Sequence, residues 1–133
     1  EIYQSRTGSQ INLYSLIPNN EVRAVVHISH GMVEHASRYS RFAIELCKSG
    51  YAVYTHDIRG HGHTVARDAP QGVFAKSNGF QLILEDQNEI IKLAQDRHPN
   101  KPIICAVTIN VSILVLLITF SILFSISFYI SNN

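Results

Sequence analysis

The chain has 133 residues, a formal charge of +1 and 46% hydrophobic residues, which is room for one domain and one core. Its Lys and Arg residues are scattered (Arg23, Arg38, Arg41, Arg59, Arg67), with no basic block to follow a phosphate backbone, and this argues against nucleic acid as a partner. The two cysteines, Cys47 and Cys105, stand far apart in apolar surroundings and are expected to be buried free thiols.

The first elements read as strands. Residues 2–5 and 10–17 flank Thr7-Gly8-Ser9, a turn-like spacer. Ile11, Leu13 and Ser15 alternate with Asn12, Tyr14 and Leu16, the pattern of a hairpin near a sheet edge. Residues 24–29 form a nearly continuous apolar run, as in a central strand covered on both faces. A helix follows, with Tyr39, Phe42, Ala43, Leu46 and Cys47 on one apolar stripe, Ser37 as its expected N-cap and Gly50 just past its end. Residues 51–56 are the next strand, and 57–79, rich in Gly, His and Asp, are loop. A second helix is expected over about 80–97, with Ile83, Ile90 and Ala94 inward and Pro99 beyond its end. Glu85, Asp86 and Glu89 on it read as a solvated face balanced by Lys92 and Arg97. Residues 101–107 read as a further buried strand. Helix and strand alternate closely enough to require parallel βαβ units, so the fold class is α/β.

Two stretches carry chemistry. His30-Gly31-Met32-Val33-Glu34-His35 follows a central strand, and a glycine there can turn the chain sharply and expose the next amide, that of Met32. Asp57-Ile-Arg59-Gly-His61-Gly62-His63 follows the next strand. His56, Asp57, His61 and His63 could be pictured around zinc. The tight spacings of hydrolytic zinc sites, His-x-His-x-Asp-His or His-Glu-x-x-His, are missing, so these histidines read as loop-structuring groups; neither metal nor cofactor is expected.

Both stretches recur in order with Ser37-Arg-Tyr39, Gly50-Tyr-Ala-Val-Tyr54, Gly72-Val-Phe-Ala, Asn78-Gly-Phe80, Asp86 and His98-Pro-Asn-Lys-Pro102. Over about residues 1–104 this resembles the monoacylglycerol lipase, lysophospholipase and serine-aminopeptidase-like branch of the α/β-hydrolases. The resemblance implies carboxylic ester hydrolysis of acylglycerols or lysophospholipids, a lipid-like ester as substrate, and an oxyanion-hole amide from Met32 within a loop shaped by His30 and Gly31. It also implies that Asp57, Arg59, His61 and Gly62 build a structural loop beside the site. Thr64 stands near where the family often has Ser.

The departure comes after Ile104. The family continues into Gly-His-Ser-x-Gly, whereas this chain reads Cys105-Ala-Val-Thr-Ile-Asn110, with Ile109 near the nucleophile position. Isoleucine has no nucleophile and its β-branch resists the left-handed turn of an elbow. The triad Asp and His are missing as well, so the chain is expected to be inactive. The expected architecture is an incomplete α/β-hydrolase sheet, with an N-terminal hairpin and then parallel βαβα strands, and a C-terminal apolar helix. Residues 1–107 would be the truncated N-terminal half and 108–133 an uncharged apolar tail.

Residues 111–130 carry no charge and suffice to cross a hydrocarbon core as a helix. One reading is a single-pass tail anchor with the N-terminal part cytoplasmic, which would make the chain a membrane-tethered, non-catalytic interaction protein. A second is a retained intron, frameshift or truncation, since Ile, Leu, Phe, Ser, Val and Asn are also what AT-rich non-coding sequence encodes; the protein would then be cytoplasmic. A third is an apolar hairpin or helix packed on the sheet.

Overall fold

The computed structural model describes residues 1–107. The expected apolar helix, the 111–130 span and Ile109 all fall on residues 108–133 and lie outside the described residues. Among the described residues no helix is long and apolar enough to cross a membrane.

Among the described residues five strands form one mixed sheet: β1 (Ile2–Gln4), β2 (Gln10–Leu16), β3 (Ala24–Ser29), β4 (Tyr51–His56) and β5 (Ile103–Val107), in the order β1-β2-β4-β3-β5. The hairpin β1–β2 is antiparallel and β2 joins β4 antiparallel, while β3 runs parallel to both β4 and β5. The helices are α1 (Ser40–Lys48), preceded by a 3-10 turn over Ala36–Tyr39, and α2 (Gly79–Arg97).

Strand alternation divides the core between the two faces of the sheet. Ile11, Leu13, Val25, Ala52 and Tyr54 meet Ile90 and Ala94 of α2, while Val26, Ile28 and Val53 meet Ala43 of α1. Every residue of β3 is buried, because it lies between two strands and under both helices.

Four local expectations need correction. Ser37 does not cap α1: its hydroxyl pairs with His35 Nδ1 at 2.8 Å, and the Asp57 carboxylate receives the Ala36 amide at 2.7 Å instead. Phe42 is 52% exposed, since it flanks the stripe while α1 packs on β4 and β2. The strand over 101–107 is not a covered one: β5 is outermost among the described residues, Ile104 is 49% exposed, and Cys105 is exposed rather than buried, with Cys47 only half-buried.

The fourth correction concerns α2. Asp86 and Glu89 are buried rather than solvated. The hydroxyls of Ser5, Thr7 and Ser9 converge on Asp86, and Arg59 Nη1 reaches its Oδ2 at 3.3 Å. Glu89 accepts the Tyr3 hydroxyl at 3.1 Å and both the backbone N–H and Nε–H of Arg6. Arg97 pairs with Glu1 and Lys92 with Asp96, so neither balances these acids. The hairpin turn, poor in apolar side chains, is attached to α2 by these polar contacts.

Removing one partner of a buried ion pair strands the other charge, at a cost of about 3–5 kcal/mol. Asp86→Ala should therefore lower the unfolding free energy by that amount in urea, whereas Glu85→Ala, on the exposed side of α2, should change it by under about 0.5 kcal/mol. Equal losses would remove the network from its structural role.

Candidate functional site

In an open α/β sheet, ligand sites form at the carboxyl ends of strands, where successive crossovers diverge to opposite sides. Here β3 crosses to β4 on one side, and the chain returns through α2 to β5 on the other. The point of divergence lies between the ends of β3 and β5, where Ser29 stands opposite Val107. The loop leaving β3 at that point is His30 to His35.

His30 is buried and anchors this loop. Its Nε2 accepts the Ile58 amide at 2.9 Å and its Nδ1 lies 2.8 Å from Gly31 O. A ring nitrogen that accepts an N–H carries no proton, so His30 is the neutral tautomer with Nδ1–H donating. Burial lowers its pKa and favours that form. Glu34 holds the loop from its other end: its Oε2 accepts the Gly31 amide at 3.2 Å and the Tyr39 hydroxyl at 2.6 Å. Those bonds, that of Tyr39 foremost, hold the Glu34 carboxyl below its usual pKa. The Gly31 amide is thereby engaged, whereas the Met32 amide makes no hydrogen bond among the described residues. The Met32 side chain is largely exposed.

The left-handed residue of this turn is Val33, at φ 62°, and not Gly31 as the sequence suggests. A β-branched side chain in this region is strained by about 1–3 kcal/mol. Nothing in the sequence signals that the turn falls two residues past the glycine.

The second stretch is built around Asp57, which is buried at the end of β4. Its Oδ1 accepts the Ala36 amide, and its Oδ2 accepts Asn12 Nδ2 and the His63 amide, both at 3.0 Å. Burial raises the Asp57 pKa, but these donors outweigh it and the net shift is downward. Gly62 sits against this carboxylate at φ 54°, where a Cβ would lie 2.2 Å from Asp57 Cγ. Thr64 donates its hydroxyl to Asp57 O at 2.5 Å and accepts the Asn12 amide at 2.9 Å. Arg59, with Asp68 at 2.5 Å and the Phe74 carbonyl at 3.1 Å, fastens the rest of the loop. His61 lies between the rings of His30 and Phe74, with Nδ1 on Arg59 O.

The structure therefore brings His30, Gly31, Asp57 and His61 into one cluster and places Arg59 behind it, paired with Asp86 of α2. The His-rich group does not converge on a metal: among the described residues no three His, Cys, Asp or Glu side chains could hold one. His56 instead faces His27 across the sheet, Nδ1 to Nε2 at 3.3 Å, and His63 is exposed. Asn12 and Glu34 contribute supports that carried no assigned role in the sequence reading. Glu34 lies inside the recognised hexapeptide; Asn12 has no signal short of its contact with Asp57.

Two predictions follow from these strained and buried groups. Replacing Val33 by Gly should stabilise the fold by about 1 kcal/mol, less than the full strain because glycine also frees the unfolded chain; a lower thermal midpoint would contradict the strain. His27 has its pKa lowered from 6.5 to about 4 by burial, and that of His56 is also pushed down. His27 Nδ1 and His56 Nε2 have no partner among the described residues. A folded pKa below the unfolded one means the unfolded chain binds more protons, so this contribution is complete above pH 6.5 and is lost as pH falls to about 4. Across that window the chain should lose roughly 3 kcal/mol more than a His27→Leu variant, at about 1.4 kcal/mol per unit. Parallel pH profiles in urea unfolding would rule His27 out.

The family profile described as "Serine aminopeptidase, S33" matches residues 20–107. The monoacylglycerol lipase of Mycolicibacterium smegmatis is 32% identical over 85 residues, 64% of this chain and 28% of that protein. The monoglyceride lipase of Rattus norvegicus is 28% identical over 86 residues, 65% of this chain and 26% of its own length. The chain thus spans about a quarter of the length of these relatives. Among solved structures, a thermostable carboxyl esterase from Bacillus coagulans superposes with a TM-score of 0.67 at 26% identity, covering 79% of this chain and 34% of the esterase. With the strand order, the two loops and the profile in agreement, the chain belongs to the serine aminopeptidase S33 family of α/β-hydrolases, and its matched residues resemble part of a monoglyceride lipase.

Proposed function

We propose that this chain carries the oxyanion-binding half of a carboxylic-ester hydrolase site of the acylglycerol or lysophospholipid type, and that it does not hydrolyse esters on its own. The Met32 amide is the oxyanion donor. The observation behind the reading is that, among the described residues, this N–H is unengaged at the divergence point between β3 and β5, while the 133 residues contain no Gly-x-Ser-x-Gly.

The chemistry rests on preorganisation. A tetrahedral intermediate carries its negative charge on the former carbonyl oxygen. A backbone N–H that is already held in place stabilises that charge without reorganising, and one such donor is worth about 10²–10³ in rate. His30 and Glu34 supply the rigidity: one ties the start of the loop to Ile58, and the other ties Gly31 to Tyr39. Gly31 N–H is engaged by Glu34, whereas Met32 N–H makes no hydrogen bond among the described residues. Asp57 keeps the 3-10 turn against the strand end, so the loop cannot rotate away from it. Asp57, Arg59, His61 and Gly62 act as scaffold.

A donor for the oxyanion is useful only if a nucleophile attacks. The sequence after β5 reads Thr108-Ile109-Asn110, which carries no serine elbow. The lipid-ester preference rests on what the relatives are named for, monoacylglycerol and monoglyceride lipases.

The test is activity-based labelling of the purified chain with a fluorophosphonate probe, alongside turnover of a short-chain p-nitrophenyl ester. No serine should be labelled, and hydrolysis should match the buffer rate. A single stoichiometrically labelled serine would overturn the proposal.

A further inference from the structure

We propose that His30 is a proton-operated latch on the Met32 loop: a proton added to its Nε2 breaks the bond to the Ile58 amide and frees the start of the loop. The inference deepens the preceding reading, on which it rests, by placing the proposed oxyanion donor under the control of acid.

The latch stands on the direction of two hydrogen bonds. Nε2 accepts the Ile58 N–H at 2.9 Å, and Nδ1 faces Gly31 O at 2.8 Å. A backbone N–H only donates and a carbonyl only accepts, so a single species meets both, the neutral ring with its proton on Nδ1. The imidazolium carries a proton on each nitrogen. Its Nε2–H would point at the Ile58 N–H, donor against donor. Rotating the ring does not help, because the cation has no acceptor to offer. Both residues are buried, with His30 3% and Ile58 6% exposed, so water cannot replace the lost bond unless the loop moves.

The groups around the ring set its response. Two carboxylates act on it, Asp57 at the end of β4 and Glu34 in its own loop. Two imidazoles are also near: His61, with ring centroids 5.9 Å apart, and His56 of β4. The carboxylates favour the cation and His61 opposes it, but burial is the largest effect and holds the His30 pKa below 6.5. Once the loop opens, the ring meets water and its pKa returns toward 6.5. The open form then binds the proton more tightly than the closed one. Closure is therefore fully supported above pH 6.5 and is lost as pH falls through the lowered value. Glu34 and Asp57 are held below their usual 4.5 and 3.8, so both stay charged while His30 titrates.

The far end of the loop is fixed separately, by the Ala36 amide on Asp57. Opening is thus confined to residues 30–35. These include Val33 in its left-handed turn at φ 62°, and release of that strain acts in the same direction as the proton.

The test is amide hydrogen exchange of the full chain by NMR, from above pH 6.5 down to 4.5. Each rate is divided by the intrinsic rate at that pH to give an opening constant. The constant for Ile58 should rise by up to about tenfold per pH unit below 6.5. The imidazole nitrogen spectrum of His30 should show a bare Nε2 at neutral pH, which gains its proton over the same range. His30→Gln supplies a carbonyl acceptor that does not titrate, and should leave the Ile58 constant flat with pH. His27→Leu should keep the acid rise, which separates the latch from the pair beneath α2. If circular dichroism finds His30→Gln unfolded, the parent's Ile58 exchange and nitrogen spectrum decide by themselves. A flat Ile58 profile in the parent, a bare Nδ1 in place of Nε2, or a rise that survives in a folded His30→Gln overturns the proposal. So does a rise that vanishes in His27→Leu, or one shared equally by Val26 and Val53 of the core, which would be unfolding of the whole sheet. A serine labelled by the fluorophosphonate would sink the preceding reading, while these exchange rates would still decide the latch.

Discussion

At the carboxyl end of β4 one carboxylate gathers three N–H groups, two from distant stretches of chain and one from its own loop. Asp57 takes the Ala36 amide that begins the 3-10 turn, the Asn12 side chain from β2 and the His63 amide from its own loop. Each bond to an ionised acceptor is stronger than a neutral one, and the site is buried, so the three are strongly held. The position of the Met32 loop depends on this. The segment runs from β3 to the turn at Ala36, and Asp57 holds its far end while His30 holds its near end. Gly62 is required because any side chain there would occupy the space of the carboxylate.

The Arg59 guanidinium plays the matching part at the back of the loop. It is almost wholly buried and is satisfied from several sides: Asp86 of α2, Asp68 of the loop, the hairpin hydroxyls and the Phe74 carbonyl. Desolvating a guanidinium is costly, and that cost is offset only where each donor finds an acceptor. The arrangement explains why a loop of some twenty residues without regular structure, from Asp57 to Asn78, keeps a defined course. It also explains how a short polar hairpin stays on the sheet with few apolar contacts of its own.

These supports bear on the proposed half-site. The groups that fix the Met32 amide are Glu34, Tyr39, His30 and Asp57, and all of them lie before residue 65. None depends on a nucleophile. The proposed oxyanion donor is therefore held in place by groups that do not include a nucleophile. The strain at Val33 is also local to this loop, where Glu34 and Tyr39 fix the residues on either side.

The elements of the fold were legible because their signals are local. The alternation of Ile11 and Leu13, the continuous run over 24–29 and the spacing of Ile90 and Ala94 each specify one face of one element, and burial in the structure follows them. The hexapeptide at His30 and the Asp57 loop were legible as motifs. What they do to one another was not. Asp86 looked like a surface charge because its partners at Ser5, Ser9 and Arg59 are far away in sequence. Ser37 looked like a cap because the true acceptor, Asp57, arrives from the next strand. The residues after Val107 carry the widest disagreement of readings, and the structure describes none of them.

By itself the amino-acid order determined which residues form strands and helices, the α/β class, and the missing Gly-x-Ser-x-Gly, because periodicity and motifs are properties of neighbours along the chain. Only the tertiary structure decided that Asp86 and Glu89 are buried, that the turn falls on Val33, and that, among the described residues, β5 lies outermost and Met32 keeps its amide unengaged. Those outcomes depend on which distant segment supplies the competing hydrogen bond, and that choice is made when the sheet assembles.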